Sequence, residues 1–352
     1  MQIPQDVVAS WDSFIAECCE GSLPAESPHE VQIAVSALRR LWPEYLDQLG
    51  PQGTGPALIA PAIALGLDLA RCEHRPGFDA ILKRLRGGEK PAQAEIEVAS
   101  AFASRGLVFD LEPPLNGKTL DSVVRIGATN VYVEVIAPET SDAMMQAYAA
   151  LKDAAVAIVQ RRAGVHVDVL LLEIEPEADL QRVVLAADTL PADGWVRRIA
   201  HVGLAAARPS PAGAVMIPPR IQSDGTAPVL YNFHARIQAN LNTSATVACQ
   251  MHDERVKRLL YNELHHFTKS ECNALVVCVT NVPGGLTWWG EFTQRWFRPD
   301  QNTRIGAVIL YDSATVSAPM GIHRRWRAFE NPHAAKPLPA DFLSAIRSLE
   351  DD

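Results

Sequence analysis

Two acidic side chains, Asp121 and Glu134, interrupt a predicted β-hairpin that otherwise consists mainly of Val, Ile and Tyr. Residues 117–138 read GKTLDSVVRIGATNVYVEVIAP, in which Gly127-Ala128 is typical of a two-residue turn between strands. That turn sets a register in which Asp121 lies directly across from Glu134. Opposed side chains have Cβ atoms about 5 Å apart, where like charges destabilise a strand pair. The two carboxylates therefore require a cation, a shared proton or exposure to water.

Two interpretations of this carboxylate pair remain open. A divalent metal ion would bind both groups, because hard ions such as Mg²⁺ take carboxylate oxygens and keep several waters. Such an ion activates a water molecule and stabilises a leaving oxygen, which suits phosphodiester hydrolysis. Alternatively, the hairpin face is solvated, and the carboxylates diverge into water near Lys118 or Arg125.

The elements around the hairpin indicate how it is held. Residues 91–106 favour a helix whose inward face carries Glu95 and whose outward face carries Glu97. A strand over residues 107–115 follows, and its two prolines confine it to a sheet edge. Asn116-Gly117 predicts a tight turn, after which strands over residues 118–126 and 129–136 complete an antiparallel meander.

The whole chain predicts an α/β fold with an α-helical N-terminal lobe. Residues 1–88 have helical periodicity throughout and form this lobe. Residues 89–352 form the α/β domain, which has additional helices and strands towards its C-terminus. After the meander, a helix over residues 141–162 and a strand over residues 166–174 begin an alternation of helices and strands. The pattern indicates a mixed sheet covered by helices on both faces.

The order helix, strand, hairpin, helix resembles the PD-(D/E)xK nuclease superfamily, which has the restriction-endonuclease-like fold. The sequence pattern from Glu95 to Glu134 (E-x-x-x-A-x-x-x-x-x-x-G, then G-K-x-x-D, then V-Y-V-E-V) is similar to that of many bacterial proteins in this group. The resemblance covers about residues 91 to 175. It implies Mg²⁺ or Mn²⁺ held by Glu95, Asp121 and Glu134, with the backbone carbonyl of Val135 as a further ligand.

The chain departs from the motif of this superfamily at Ile136. The resemblance implies a lysine there, two positions after the strand glutamate, which orients the attacking water and helps to deprotonate it. Lys118 falls on the opposite face of its strand and Arg125 lies too far along it. Lys152, on the following predicted helix, is the candidate for a displaced catalytic cation, because some members of the superfamily place it there.

The amino-acid composition limits the classes of protein to which this chain can belong. With 48% hydrophobic and 21% charged residues, the chain is expected to be globular and soluble. Six cysteines without a CxxC pair, and no basic segment ahead of an apolar stretch at the N-terminus, predict a cytoplasmic protein with reduced thiols. No apolar run is long enough to cross a bilayer, so no membrane contact is expected.

The net charge of −9 argues against a protein that coats nucleic acid with its whole surface. A local basic patch is the candidate contact for DNA or RNA, because Arg324, Arg325 and Arg327 flank Trp326. Arginines in such a patch bind the phosphate backbone, and the aromatic ring stacks on a base. The competing interpretation is a solvated strand face. A protein partner or a homodimer is the remaining expectation.

A histidine-containing segment is the other candidate for metal binding. Glu263 and His266 are three residues apart on a predicted helix that also carries His265, with His252 near its start, but no cysteine accompanies them. The pattern favours an ordinary helix surface.

Two functional hypotheses follow from the sequence. The first is a divalent-metal-dependent nuclease that cleaves nucleic-acid phosphodiesters. The second is a catalytically inactive relative with the same fold, which serves as a binding or assembly module. Ile136 and the acidic net charge favour the second, whereas the retained opposed carboxylates favour the first.

Overall fold

A computed structural model describes most of the chain. The described residues are 28–49, 56–115, 118–138, 142–171, 177–199, 203–209, 233–249, 254–280, 282, 285–317 and 320–350. The helix predicted within the first 27 residues and the Asn116-Gly117 turn lie outside this part. Within it, no helix combines the length and apolar character that a membrane span needs.

Ten α-helices and thirteen strands make up the described residues. The helices are α1 (Pro28–Leu41), α2 (Pro43–Leu49), α3 (Pro56–Cys72), α4 (Phe78–Arg86), α5 (Lys90–Ser104), α6 (Asp142–Arg161), α7 (Glu177–Asp188), α8 (Glu254–Glu263), α9 (Gly285–Trp296) and α10 (Ala340–Arg347). A 3₁₀ turn, Leu264–His266, continues α8.

The strands are β1 (Val108–Leu111), β2 (Pro114–Leu115), β3 (Lys118–Thr119), β4 (Ser122–Ile126), β5 (Thr129–Ile136), β6 (Val165–Leu171), β7 (Arg197–Ile199), β8 (Gly203–Pro209), β9 (Phe233–Asn240), β10 (Thr243–Cys249), β11 (Cys272–Cys278), β12 (Ala307–Ser317) and β13 (Met320–Glu330). Apart from the short β2–β3 pair, they form two mixed sheets flanked by helices.

The first compact unit contains the described residues up to Pro138 together with Arg255–Thr280 and those from Trp289 onward. Its six-stranded sheet has the order β1-β4-β5-β11-β12-β13. The strands β1, β4 and β5 form the predicted antiparallel meander, with β1 at the sheet edge as expected. Strand β11 runs parallel to both β5 and β12.

The predicted hairpin register is confirmed, since Ile126 pairs with Thr129 and Ser122 pairs with Val133. The strand predicted over residues 118–126 is divided into β3 and β4, and Asp121 lies between them. Its backbone carbonyl accepts a hydrogen bond from the amide of Glu112 at 3.0 Å, which fixes this break beside the end of β1.

The helices before residue 88 share one hydrophobic core with the first sheet. Helix α3 packs against α1, α5 and β13, and it is therefore apolar around much of its circumference. This division differs from the predicted boundary between residues 88 and 89. The reason is that the apolar surface of α3 is buried partly by the sheet rather than by other N-terminal helices alone.

The second compact unit, Glu139–Glu254 with a short later segment, has its own five-stranded sheet of order β7-β8-β6-β10-β9. The strand that follows α6 is β6, which pairs with β8 and β10 rather than with β5. The expectation of one mixed sheet was therefore wrong. Strands β6, β8 and β10 bury a separate core of Val and Ala side chains against α6 and α7, which satisfies β6 within this unit.

Gly77, just before α4, offers a prediction about the first unit. Its φ is +85°, and an added Cβ would lie 2.0 Å from the carbonyl oxygen of Leu111. The Gly77→Ala variant combines left-handed strain with a backbone clash, so we expect its free energy of unfolding to fall by roughly 2 to 4 kcal/mol. Urea unfolding measures this change.

Gly106→Ala is the matched control for Gly77→Ala. Gly106 also has a positive φ, +68°, but nothing lies within 4 Å of an added Cβ. Only the left-handed strain of about 1 to 2 kcal/mol applies there. Equal losses in the two variants would contradict the close approach of Gly77 to β1.

Candidate functional site

Asp121 and Glu134 meet at the point where β4 begins and β5 ends. The backbone N–H of Val135 donates a hydrogen bond to Oδ2 of Asp121 at 2.6 Å, and the two carboxyl groups share a hydrogen bond. Glu134 is only 5% exposed. At Glu134 the hairpin face is therefore not the solvated surface that was the alternative, although Arg125 farther along the same face is exposed.

Burial, and then the charges of neighbouring acidic groups, raise the pKa of both carboxyl groups. Burial, reinforced by the charge of Glu134, raises the pKa of Asp121 to about 8. Burial also raises the pKa of Glu134 to about 7, while its hydrogen bond with Asp121 opposes the rise. Near neutral pH the pair therefore holds a proton.

Glu95 points inward from α5, as predicted, and is 3% exposed. The guanidinium of Arg84 donates to both of its carboxylate oxygens, at 2.8 and 2.9 Å. Arg84 also donates to Glu112 at 3.1 Å and to Glu89 at 3.0 Å. Burial, with the charge of Asp121 next, raises the pKa of Glu95 to about 7 although Arg84 opposes it. As a metal ligand, Glu95 would have to give up an oxygen held by Arg84.

Glu97 does not point into solvent, so that expectation was wrong. It is 8% exposed, accepts a hydrogen bond from Gln93 at 3.1 Å, and lies 3.9 Å from the guanidinium of Arg324. Helix α5 is covered on both sides, by α3 and by the sheet, and therefore has no fully solvated face here.

Ile136, where the resemblance implies a lysine, contributes an apolar wall to the cavity beside the acid pair. Lys152 is exposed on α6, within the second unit. The residues that line the cavity all belong to the first unit. A catalytic role for Lys152 remains a prediction.

Glu263 and His266 complete the site, and the sequence placed them on an ordinary helix surface. Nδ1 of His266 lies 2.9 Å from Oε1 of Glu134 and 3.0 Å from Oε2 of Glu263. Helix α8 leads into β11, the parallel neighbour of β5, so its C-terminal end lies beside Glu134. The spacing of Glu263 and His266 was the available signal, but it did not reveal which strand would be adjacent.

A cavity of about 570 Å³ opens over these residues. Five carboxyl side chains contribute to its lining, and the basic residues among the lining residues are one arginine and one histidine: Glu95, Glu112, Asp121, Glu134, Glu263, Arg84 and His266. Because Arg84 is engaged by Glu89, Glu95 and Glu112, the other three carboxylates share a single imidazole. The site has a deficit of positive charge.

The basic stretch on β13 is largely engaged within the protein. Arg324 forms a bidentate ion pair with Asp68, with one N–H···O distance of 2.9 Å, and its side chain is 19% exposed. Arg325 is exposed and pairs with Asp312. The guanidinium of Arg327 lies 5.5 Å from the ring centroid of Phe329. Arg324 is thus not displayed for nucleic acid, whereas Arg325 and Arg327 lie on the exposed side of the strand.

The acid pair predicts an unusual pH dependence of stability in the absence of metal. Asp121 and Glu134 hold protons to about pH 8 and 7 when folded, against ordinary values of 3.8 and 4.5. Between these limits the folded chain binds more protons than the unfolded chain, so the free energy of unfolding falls as pH rises. The stabilisation is fully present below about pH 4 and is lost as pH rises through about 8.

Urea unfolding in EDTA at several pH values between 5 and 8 measures this effect. Asp121→Asn removes the most perturbed group, and we expect its stability to decline less steeply with pH than that of the wild type. If the stability of the two proteins declined with pH at the same rate, the raised pKa of Asp121 would be contradicted.

Comparisons of this chain with protein-family models, with curated protein sequences and with solved structures found no match.

Proposed function

We propose that the first unit is a restriction-endonuclease-like domain and that it hydrolyses phosphodiester bonds of nucleic acid with a divalent metal ion. The observation that carries this proposal is the Asp121–Glu134 pair, of which Glu134 is buried, in the lining of an open cavity where no lysine or arginine among the described residues pairs with either group. A structural role alone gives no reason to place two repelling acids at that point.

The order of elements in the first unit supports the fold assignment. Helix α5 is followed by the meander β1-β4-β5, and helix α8 then precedes β11, which runs parallel to β5. The second unit is inserted in the sequence between β5 and α8. The crossover helix of the proposed fold is therefore α8, which carries Glu263 and leads into His266, rather than α6, which carries Lys152.

The donor set fits a hard divalent ion. Asp121 and Glu134 supply carboxylate oxygens side by side, which is the chemistry that Mg²⁺ and Mn²⁺ prefer, and the resemblance adds the carbonyl of Val135 as a further ligand. A bound ion would activate water and stabilise the charge that develops on the phosphate. Binding would also displace the proton that the pair holds.

The protein side chains position these groups and handle the proton. Arg84 fixes Glu95 through two hydrogen bonds, and His266 orients Glu134. Because Ile136 cannot accept or donate a proton, the proton of the attacking water needs another acceptor. The proposed acceptor is the carboxylate of Glu95, which lines the cavity and whose pKa of about 7 suits proton exchange near neutral pH. Arg325 and Arg327 are the proposed contacts to the nucleic-acid backbone.

A second candidate function rests on Ile136. Loss of the motif lysine together with an acidic cavity is consistent with an inactive nuclease-like module that binds a protein partner or a second copy of this chain. The two functions differ in whether the acid pair binds metal and supports cleavage.

Calorimetric titration of Mg²⁺ and Mn²⁺ into the wild type and into Glu134→Gln tests the proposal. We expect binding in the wild type that is lost in the variant, and cleavage of mixed-sequence DNA or RNA that requires the ion. Absence of binding in both proteins would overturn metal-dependent catalysis and favour the inactive module.

A further inference from the structure

We infer that a second cation site, formed by Glu134, Glu263 and His266, adjoins the acid pair and takes a later transition-metal ion such as Zn²⁺ in preference to Mg²⁺. One ligand atom from each of these residues lies within 4.8 Å of the other two. The cluster comes from β5, from the last residue of α8 and from the 3₁₀ turn after it. The site therefore requires the approach of α8 to β5.

The separations of the ligand atoms fit coordination. Nδ1 of His266 is 2.9 Å from a Glu134 oxygen and 3.0 Å from a Glu263 oxygen. Two ligands at a right angle around an ion, each bonded at about 2.1 Å, are about 3 Å apart. The same separations describe hydrogen bonds, so a bound ion would take the place of the contacts that Nδ1 makes with the two carboxylates.

The local charge favours an added cation over the imidazole alone. Glu134 is 5% exposed and contacts Asp121 as well as His266. The single imidazole of His266 therefore adjoins a row of three acidic side chains, Glu263, Glu134 and Asp121. Arg84, the other cation that lines the cavity, is bound to Glu95 and Glu112. A divalent ion neutralises two carboxylates at once, which a protonated imidazole cannot do.

The nitrogen donor decides the class of metal. Imidazole binds Zn²⁺ and other later first-row ions well, whereas Mg²⁺ takes oxygen ligands and gives up water reluctantly. Glu134 has two oxygens, one on the His266 side, and its carboxyl group also meets Asp121. It can therefore bridge two ions, and paired ions about 3.5 to 4 Å apart serve phosphodiester hydrolysis in other enzymes.

This inference deepens the proposed function, and its catalytic consequence rests on that function. Metal binding at His266 does not depend on whether any nucleic acid is cleaved. The two ideas therefore fail separately.

Calorimetric stoichiometry with two metals tests the second site. The wild type is expected to bind two Zn²⁺ per chain but one Mg²⁺. His266→Gln should bind one Zn²⁺, or the second with affinity reduced at least about 100-fold, and should keep its single Mg²⁺. Glu263→Gln, which replaces a partly exposed ligand of the same site, should behave similarly and guards against a folding defect in the His266 variant.

His265→Gln is the matched control, because His265 is the exposed neighbour of His266 on the same turn. This control should retain both Zn²⁺ ions. Loss of a Zn²⁺ in His265→Gln, or equal Zn²⁺ stoichiometry in the wild type and His266→Gln, would overturn the second site. Zn²⁺ binding that depends on His266 in a protein that binds no Mg²⁺ and cleaves nothing would overturn the proposed function and leave the second site standing.

Discussion

Replacing Asp121 by Asn is expected to slow metal-dependent phosphodiester cleavage by at least about 1000-fold, which corresponds to roughly 4 kcal/mol of transition-state stabilisation. The physical reason is that Asn offers a neutral oxygen where Asp121 contributes an anionic ligand. The amide oxygen of Asn can still accept the hydrogen bond that Val135 donates to Asp121 at 2.6 Å. The variant also removes repulsion with Glu134, so the fold is expected to be as stable as the wild type or more stable near pH 8.

Asp110→Asn is the matched control for this substitution. Asp110 lies on β1, the neighbour of β4, but pairs with Arg125 at the surface and does not line the cavity. Single-turnover cleavage by the three proteins should show wild-type rates for the control alone. Wild-type cleavage by Asp121→Asn would remove the acid pair from catalysis and contradict the proposed function.

The hairpin part of the site was predictable because its geometry is local. A two-residue turn at Gly127-Ala128 fixes the register, and strand alternation then determines that Asp121 and Glu134 meet. The inward orientation of Glu95 follows equally from helical periodicity, since Val98 and Phe102 on the same face are buried. These inferences need no knowledge of distant parts of the chain.

The other half of the site was not predictable from local pattern. Glu134 and His266 are 132 positions apart in the sequence, and the intervening segment contains an inserted unit with its own sheet. An apolar strand such as β6 carries no signal that tells which sheet it joins, so local pattern alone assigns β6, which follows α6, to the same sheet as the hairpin. Lys152 was consequently the candidate cation, whereas the structure brings His266 to Glu134.

Breaking the buried ion pair between Arg324 and Asp68 is expected to have the largest effect on stability. Asp68, on α3, is 1% exposed, and Arg324 donates to both of its oxygens from β13. Arg324→Met would leave Asp68 buried without a partner and would also remove a cation from near Glu97. We expect the free energy of unfolding to fall by roughly 3 to 5 kcal/mol, measured by urea denaturation at neutral pH.

Arg325→Met is the control for Arg324→Met, because it removes the adjacent, exposed arginine that pairs with Asp312. An exposed pair contributes at most about 1 kcal/mol. Adding Asp68→Leu to Arg324→Met should recover most of the loss, since apolar side chains of similar size can replace a buried pair. Comparable losses in the two single variants would contradict the buried pair.

The same experiment tests whether the N-terminal helices belong to the first unit. Asp68 lies in the segment predicted to be a separate lobe, and Arg324 is 256 positions later on the outermost strand of the sheet. If α3 and the sheet share one core, wild type and Arg324→Met should both lose the first unit in one cooperative step, with coincident near-ultraviolet and far-ultraviolet transitions. A lobe that folded independently would instead separate from the sheet when its buried charge lost its partner, and α3 would unfold in a transition of its own.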